Sequence, residues 1–412
     1  MFPSFVANLH NLQDYFTLVL AGSGHNFRAH GPPGTGMRFF VTCDPANIRH
    51  IFTTNYTNFP KGAEFAAIFD IMGGSIFTID GEPARRQRAK IKGVLSSPRL
   101  VARMEACCRN KVENSLLPLF AHMASTDTSF NMQELMSRFM FDMAATPLFD
   151  VDPGLLSWDM PPMDAAVAMD TVMEVALFQV MMPASCWRLI RWLNMGPERK
   201  LKAAHTGTRG DTVGATLTWI FYNLAQHPKV VSIIRKELSP IASRKVADGV
   251  DSMVIFEPNE TKSLVYLRAV LYETLRLHPA APLKRKVVAA DDIMPSGREV
   301  HAGDTIFISL HSMGRMEGIW GKDCLNYNPD RWLSEDGNKL RYVPSHKFLA
   351  FNSGPRMCLG KDIAVMQMKT VIASTLWNFD VEVMEGQSIQ AKPSCILEMK
   401  NGLMVKLKKR EM

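Results

Sequence analysis

Residues Phe351-Asn352-Ser353-Gly354-Pro355-Arg356-Met357-Cys358-Leu359-Gly360 decide how the rest of this 412-residue chain is read. Gly354 and Gly360 bracket Cys358 and let backbone amides come close to its sulfur without side-chain obstruction. From Leu359 onward, Lys361, Asp362, Ile363, Ala364, Val365, Met366 and Met368 show helical apolar spacing. Cys358 is therefore expected at a helix N-terminus, where unpaired N–H groups and the positive end of the helix dipole favour a thiolate. A lone Cys between two glycines is otherwise inert core. The fixed positions around this one point instead to a metal-bound thiolate, with Phe351 placed to shield it and Arg356 to pair with an anion.

The complete spacing Phe-x-x-Gly-x-Arg-x-Cys-x-Gly resembles the haem-ligand loop of the cytochrome P450 family, in which a Cys thiolate is the proximal ligand of the iron. The resemblance implies a mainly α fold with minor β sheet, haem b (iron protoporphyrin IX) as cofactor and Cys358 as the iron ligand. Phe351, Gly354 and Gly360 then shape the loop, and Arg356 meets a haem propionate. Glu273-Thr274-Leu275-Arg276, followed by His278-Pro279 and by Asn328-Pro329-Asp330-Arg331-Trp332, resembles the family's Glu-Arg-Arg lock. A Glu and an Arg three apart share a helix face, and on a surface such a pair contributes almost nothing. In the resembled lock Glu273, Arg276 and Arg331 are buried together and brace the ligand loop.

Asp80-Gly81 followed by Arg85, Arg86, Gln87 and Arg88 resembles the family's third helix, whose aromatic-Arg pair holds a propionate. Ala84 stands at the aromatic position, and Arg85 is the candidate anchor; a charge run on a helix is otherwise a solvated face. Between Phe59 and Asp80 the chain is rich in Gly and large apolar residues, the resembled loop over the distal haem face. The family's central helix carries Ala/Gly-Gly-x-Asp/Glu-Thr, whose acid and hydroxyl relay protons during oxygen activation. Asp211 and Thr212 match its last two positions, while Thr208 and Arg209 replace the small residues. The chain passes from Ala203 through His205-Thr206-Gly207-Thr208-Arg209-Gly210 straight into Asp211, so several distal helices and the first half of the central helix are expected to be missing.

The net charge of +7 has interspersed signs and no long Lys or Arg block, which excludes a nucleic-acid binder and leaves a basic face for an acidic protein partner. Seven cysteines without a C-x-x-C spacing argue against a disulfide framework or a zinc site and for a reducing compartment. Met1 to Leu20 is interrupted by Asn8, His10, Asn11, Gln13 and Asp14, so neither a spanning helix nor a signal peptide is expected there. His30-Gly31-Pro32-Pro33-Gly34-Thr35-Gly36 imitates an ATPase phosphate loop, but Met37 and Arg38 stand where Lys and Ser or Thr are required. It reads as a turn into a strand over 37–42.

Helices are expected over 9–20, 46–52, 132–148, 164–180, 187–201, 213–225, 229–238 and 264–277, with a polar loop over 240–261. Short strands are expected over 286–290, 299–301 and 304–310, and a hairpin around Asn401-Gly402 within 391–408. Together these make one domain, 1–412.

Tyr266 to Pro279, His311 to Trp320 and Lys347 to Met368 resemble most the plant group acting on long-chain fatty acids and alkanes. This implies hydroxylation of a long-chain aliphatic substrate with O2 and electrons from an NADPH-dependent flavoprotein reductase, at the cytosolic face of the endoplasmic reticulum membrane. Two alternatives share the Cys358 loop: a haem-thiolate isomerase or dehydratase needing no O2, and a haem-binding but catalytically impaired truncated form.

Overall fold

The structure is a computed structural model describing residue 4 and residues 7–193, 195–196, 212–247 and 253–411. Its longer helices are α1 (Leu12–Gly22), α2 (Gly81–Leu95), α3 (Pro98–Lys111), α4 (Leu117–Ser125), α5 (Met132–Phe149), α6 (Asp164–Met181), α7 (Ala184–Trp192), α8 (Thr212–Gln226), α9 (Pro228–Ala247), α10 (Val265–Leu277) and α11 (Lys361–Asn378). Their ends follow local chemistry. Asn131 accepts from the amides of Gln133 and Glu134 to cap α5, which carries Pro147 in its last turn and stops at Asp150 in the left-handed region. Asp44 caps the short helix Pro45–Arg49 by accepting from Ala46 N at 2.8 Å, with Pro45 at the first helical position.

The strands are β1 (Asn26–His30), β2 (Arg38–Thr42), β3 (Phe130–Asn131), β4 (Leu283–Val287), β5 (Asp292–Ile293), β6 (Glu299–Val300), β7 (Thr305–Ser309), β8 (Phe379–Val383) and β9 (Met404–Lys409). A four-stranded sheet runs β1-β2-β7-β4, with β2 and β7 parallel and the other pairs antiparallel, so β4 lies at its edge with Arg285 opposite Phe307. A second sheet runs β3-β9-β8, and β5 pairs with β6.

Several expectations are corrected. The helix placed at 187–201 begins three residues earlier and ends at Trp192, because Pro183 sets its start. Residues 229–238 continue through Pro240 to Ala247: Ile234, Leu238, Ile241 and Ala242 keep a buried stripe running past the proline. The first late strand lies at 283–287, not 286–290. The hairpin around Asn401-Gly402 does not form; β9 pairs antiparallel with β8 instead, from Phe379 opposite Lys409 to Val383 opposite Val405. Gly402 at φ +70 lies against the Asn131 side chain, so the turn docks on the cap of α5. The expected break over 203–211 lies outside the described residues.

Two apolar cores result. One is helical, built from α3, α4, α5 and α8 to α11 around Phe139, Phe221, Leu267 and Val371. The other surrounds the four-stranded sheet and includes α1 and α6, with Phe16, Phe52, Leu177 and Phe307. α11 is buried on most faces, as expected for a helix through the middle of a core. Among the described residues no helix is long and apolar enough to cross a membrane.

Candidate active site

A cavity of about 850 Å³ opens where the two cores meet, and Cys358 lies in its wall. The loop that carries Cys358 is held by its backbone. Cys358 N donates to Phe351 O at 2.7 Å, and residues 354–356 make a single 3-10 turn. Gly354 has φ +57, and a Cβ there would collide with the Phe52 carbonyl, so only glycine fits. α11 starts at Lys361 with Gly360 as its N-cap, leaving Cys358 exposed just ahead of the helix.

Arg356 is buried and largely occupied by protein. It donates from Nε to Tyr56 Oη (3.1 Å), from Nη1 to Ile76 O (3.0 Å), and from Nη2 to Ile79 O (2.6 Å) and Asp80 Oδ1 (2.7 Å). A single N–H is left for anything else. Phe351 packs within an aromatic group that contains Phe348 and Tyr272, and the Lys361 ammonium sits over its ring, 5.4 Å from the centroid. Arg85 lies away from the cavity, its side chain 61% exposed beside Glu82. Arg88 does line the cavity and donates to Met357 O beside the cysteine. The stripe Ala84, Arg88, Ile91, Leu95 at i, i+4, i+7, i+11 is the sequence signal that selects Arg88 from the charge run.

Sequence reasoning also missed three lysines. Lys61, Lys284 and Lys286 line the cavity with Arg88, Arg285 and Arg356, and no Asp or Glu is among the described lining residues. Burial, reinforced by neighbouring cations, pulls Lys61 down to about 7 and Lys286 to about 8. Burial likewise brings Lys284 to about 7. Lys284 and Lys286 alternate with Arg285 on edge strand β4, and that period-2 pattern was the signal available for them.

The structure brings Glu273, Arg276 and Arg331 together. Arg276 donates from Nε and Nη2 to the two Glu273 oxygens, each at 2.8 Å, and Arg331 Nε reaches Glu273 Oε1 at 3.0 Å. Trp332 Nε1 and Asn328 N complete the carboxylate at 2.9 and 2.8 Å. Arg276 also holds the carbonyls of Gly314, Cys324 (2.6 Å) and Asn326 (3.1 Å). Trp332 stacks edge-on against Phe348 at 4.6 Å, which in turn meets Phe351, so an aromatic chain joins this cluster to the Cys358 loop. Of the two residues that match the end of the central-helix motif, Thr212 begins α8 exposed and lines the cavity with Thr216, whose hydroxyl donates to Thr212 O at 2.7 Å. Asp211 lies outside the described residues.

A thiol facing a cavity ringed by six cations without a lining acid calls for an anionic ligand that brings carboxylates to the cationic rim and a metal to the sulfur. Haem has that chemistry, and the residues present fit it. The family model described as Cytochrome P450 matches residues 207–407. The chain is 32% identical over 466 aligned positions to noroxomaritidine synthase 1 of Narcissus pseudonarcissus, covering all of this chain and 90% of that protein.

The chain belongs to the cytochrome P450 family.

An alkane hydroxylase of Arabidopsis thaliana is 30% identical over 471 positions, covering all of this chain and 92% of that protein. A further cytochrome P450 of Arabidopsis thaliana is 31% identical over 470 positions, 99% of this chain and 84% of the relative. The mainly α fold with minor sheet is the P450 fold, haem b is its cofactor, and the protein is a P450 monooxygenase of the kind that takes electrons from a redox-partner reductase. An alignment of 466 positions to a chain of 412 residues leaves at least 54 positions of the Narcissus enzyme (466 − 412) without a counterpart here.

Proposed function

We propose that this P450 hydroxylates a long-chain aliphatic substrate, a fatty acid or an alkane, as one haem-binding domain over residues 1–412. The observation that carries the reading is the wall of the cavity away from Cys358: Phe65, Phe69, Leu177, Val180, Leu283 and Phe307 give a hydrocarbon chain an apolar bed. The alkane hydroxylase among the relatives supports the same substrate class.

In this reading haem, when bound, supplies the oxygen-activating iron. Cys358 ligates it, with Phe351, Gly354 and Gly360 shaping the loop around the sulfur. Arg88, Lys61, Lys284 and Lys286 neutralise its carboxylates, Arg356 lends its one spare N–H, and Arg85 stays on the solvated face of α2. The Glu273, Arg276 and Arg331 cluster braces the ligand loop through Trp332 and Phe348. Asp211 and Thr212 would deliver protons, Thr212 from the start of α8. An NADPH-dependent flavoprotein reductase donates the electrons, at the cytosolic face of the endoplasmic reticulum membrane.

Thr212, exposed at the head of α8 on the cavity wall, supports a distal wall that admits water. Electron flow is then poorly coupled to hydroxylation, because a proton relay works efficiently only in a water-poor site. The test supplies reductase, NADPH and a panel of long-chain fatty acids and alkanes, and compares hydroxylated product with NADPH consumed. Tight coupling would show the distal wall to be sufficient. A haem-loaded protein that hydroxylates no member of the panel would sink the aliphatic reading and turn attention to the chemistry of the noroxomaritidine synthases.

A further inference from the structure

Arg285 is the one cation in the cavity wall that the haem reading does not use. Successive side chains on a strand point to opposite faces, so Arg285 on β4 points away from Lys284 and Lys286. Those lysines reach Asn352 Oδ1 at 2.9 Å and Phe59 O at 2.8 Å, on the side of the cysteine loop and Arg356. Arg285 shares its face with Phe307 and Thr305 of β7, and its partner is Glu64, on the short helix Ala63–Ile68 that also carries Phe65 into the apolar wall. The guanidinium therefore meets the cavity beside Phe307, on the strand face opposite the two lysines.

It is also incompletely bonded. Arg285 is 8% exposed; Nη2 reaches Glu64 Oε2, with Thr305 Oγ1 at 3.3 Å. Nε and Nη1 are buried without a hydrogen-bond partner. Leaving charged N–H groups unsatisfied costs more than leaving neutral ones so, and an apolar pocket has no reason of its own to hold them. Glu64, by contrast, keeps 31% of its side chain exposed and can turn to water.

We propose that Arg285 is the carboxylate anchor of the substrate pocket, so that the enzyme selects a long-chain acid over the corresponding neutral chain, with Glu64 as the resting partner of the guanidinium. The inference rests on the aliphatic reading above and sharpens it. A bound carboxylate takes over Nη2 as Glu64 swings out, and the guanidinium turns to bring the unpartnered Nη1 onto its second oxygen. Its alkyl chain then lies along Phe65, Leu177 and Phe307.

The experiment measures equilibrium binding of hexadecanoate, methyl hexadecanoate and hexadecane to the haem-loaded protein, by the change in haem absorption and by dialysis. In the parent, hexadecanoate binds at least about tenfold tighter than its ester, the range of a charge-assisted hydrogen bond. Arg285→Gln abolishes that preference and leaves ester and alkane affinity unchanged. Glu64→Gln strengthens acid binding alone, by several-fold, because the competing carboxylate is gone. Equal binding of acid and ester by the parent overturns the anchor while leaving the aliphatic reading in place. Failure to bind any of the three overturns both. Should Arg285→Gln not retain haem, Glu64→Gln decides: acid affinity unchanged relative to ester overturns the assignment.

Discussion

Two clusters of buried arginine and lysine side chains lie near the Cys358 loop, and they are built on opposite principles. Around Glu273 every charge is answered: Arg276 and Arg331 share the carboxylate, Arg331 also holds Asp323 at 2.8 Å, and the leftover N–H groups close on backbone carbonyls. Around the cavity six cations meet no acid among the described lining residues; Arg356 and Arg285 pair with Asp80 and Glu64 behind the wall, while burial and neighbouring cations bring the three lysines to about 7 or 8. A closed cluster is complete without a ligand, so breaking it damages the fold. An open cluster is a standing electrostatic deficit that a ligand's anions relieve, so breaking it damages binding and spares the fold.

The largest expected effect comes from opening the closed cluster. Arg276→Ala leaves the fully buried Glu273 carboxylate without its bidentate partner, and losing one member of a buried pair costs about 3–5 kcal/mol. Folded yield and haem content should fall together, read by soluble expression and the haem-to-protein ratio. A variant that expresses and loads haem like the parent would make the cluster an ordinary contact. Next comes Gly354→Ala, where φ +57 and the Phe52 carbonyl both oppose a side chain; a strain of about 1–3 kcal/mol should lower the thermal midpoint. An unchanged midpoint would mean that the loop yields freely, contrary to a preformed ligand site.

The two clusters were unequally legible in the sequence. Glu273 and Arg276 are three apart on one helix, and Arg331 follows in a recognisable Pro-Asp-Arg-Trp context, so local spacing carried most of that cluster. The open cluster draws Lys61, Arg88, Lys284 and Arg356 from four separate segments, and only tertiary folding brings them to one wall. Arg85 was the candidate because it follows the aromatic position directly, yet helical phase puts Arg88 on the buried stripe under Ala84. The β9 pairing was hidden for a related reason. Asn401-Gly402 is a strong hairpin signal, but Val405 and Leu407 bury better against Val383 and Val381 of β8 than against their sequence neighbours.

A smaller effect should follow from pH. Lys286, 3% exposed, titrates at about 8 when folded and at about 10.4 in an unfolded chain. Between those values the unfolded state holds more protons, so haem-free stability rises with pH, by up to about 1.4 kcal/mol per unit for each such lysine. Below about 8 the penalty is full and flat. Lys286→Met should remove its share of this slope, stabilise the haem-free chain near neutrality and weaken haem retention, measured by denaturant unfolding from pH 7 to 10 and by haem transfer to an acceptor. A slope that survives the substitution would place the deficit elsewhere in the wall.

The smallest effect on the fold, and the most complete loss of function, is expected at Cys358. Its side chain is exposed, so Cys358→Ala removes no packed contact and should change stability by no more than about 0.5 kcal/mol. The red-shifted carbon-monoxide band of a thiolate-ligated ferrous haem should nevertheless disappear, while substitutions at Cys43, Cys107, Cys108, Cys186 and Cys324 leave it in place. Cys395 is the informative control, because it also lines the cavity. Burial pushes its thiol up to about 12, which keeps it protonated and a poor ligand, whereas Cys358 stands at the cationic end near Lys284 and Arg88. If the band survived in Cys358→Ala and vanished in Cys395→Ala, the ligand would come from the apolar wall. The cations would then have to be answered by something other than haem.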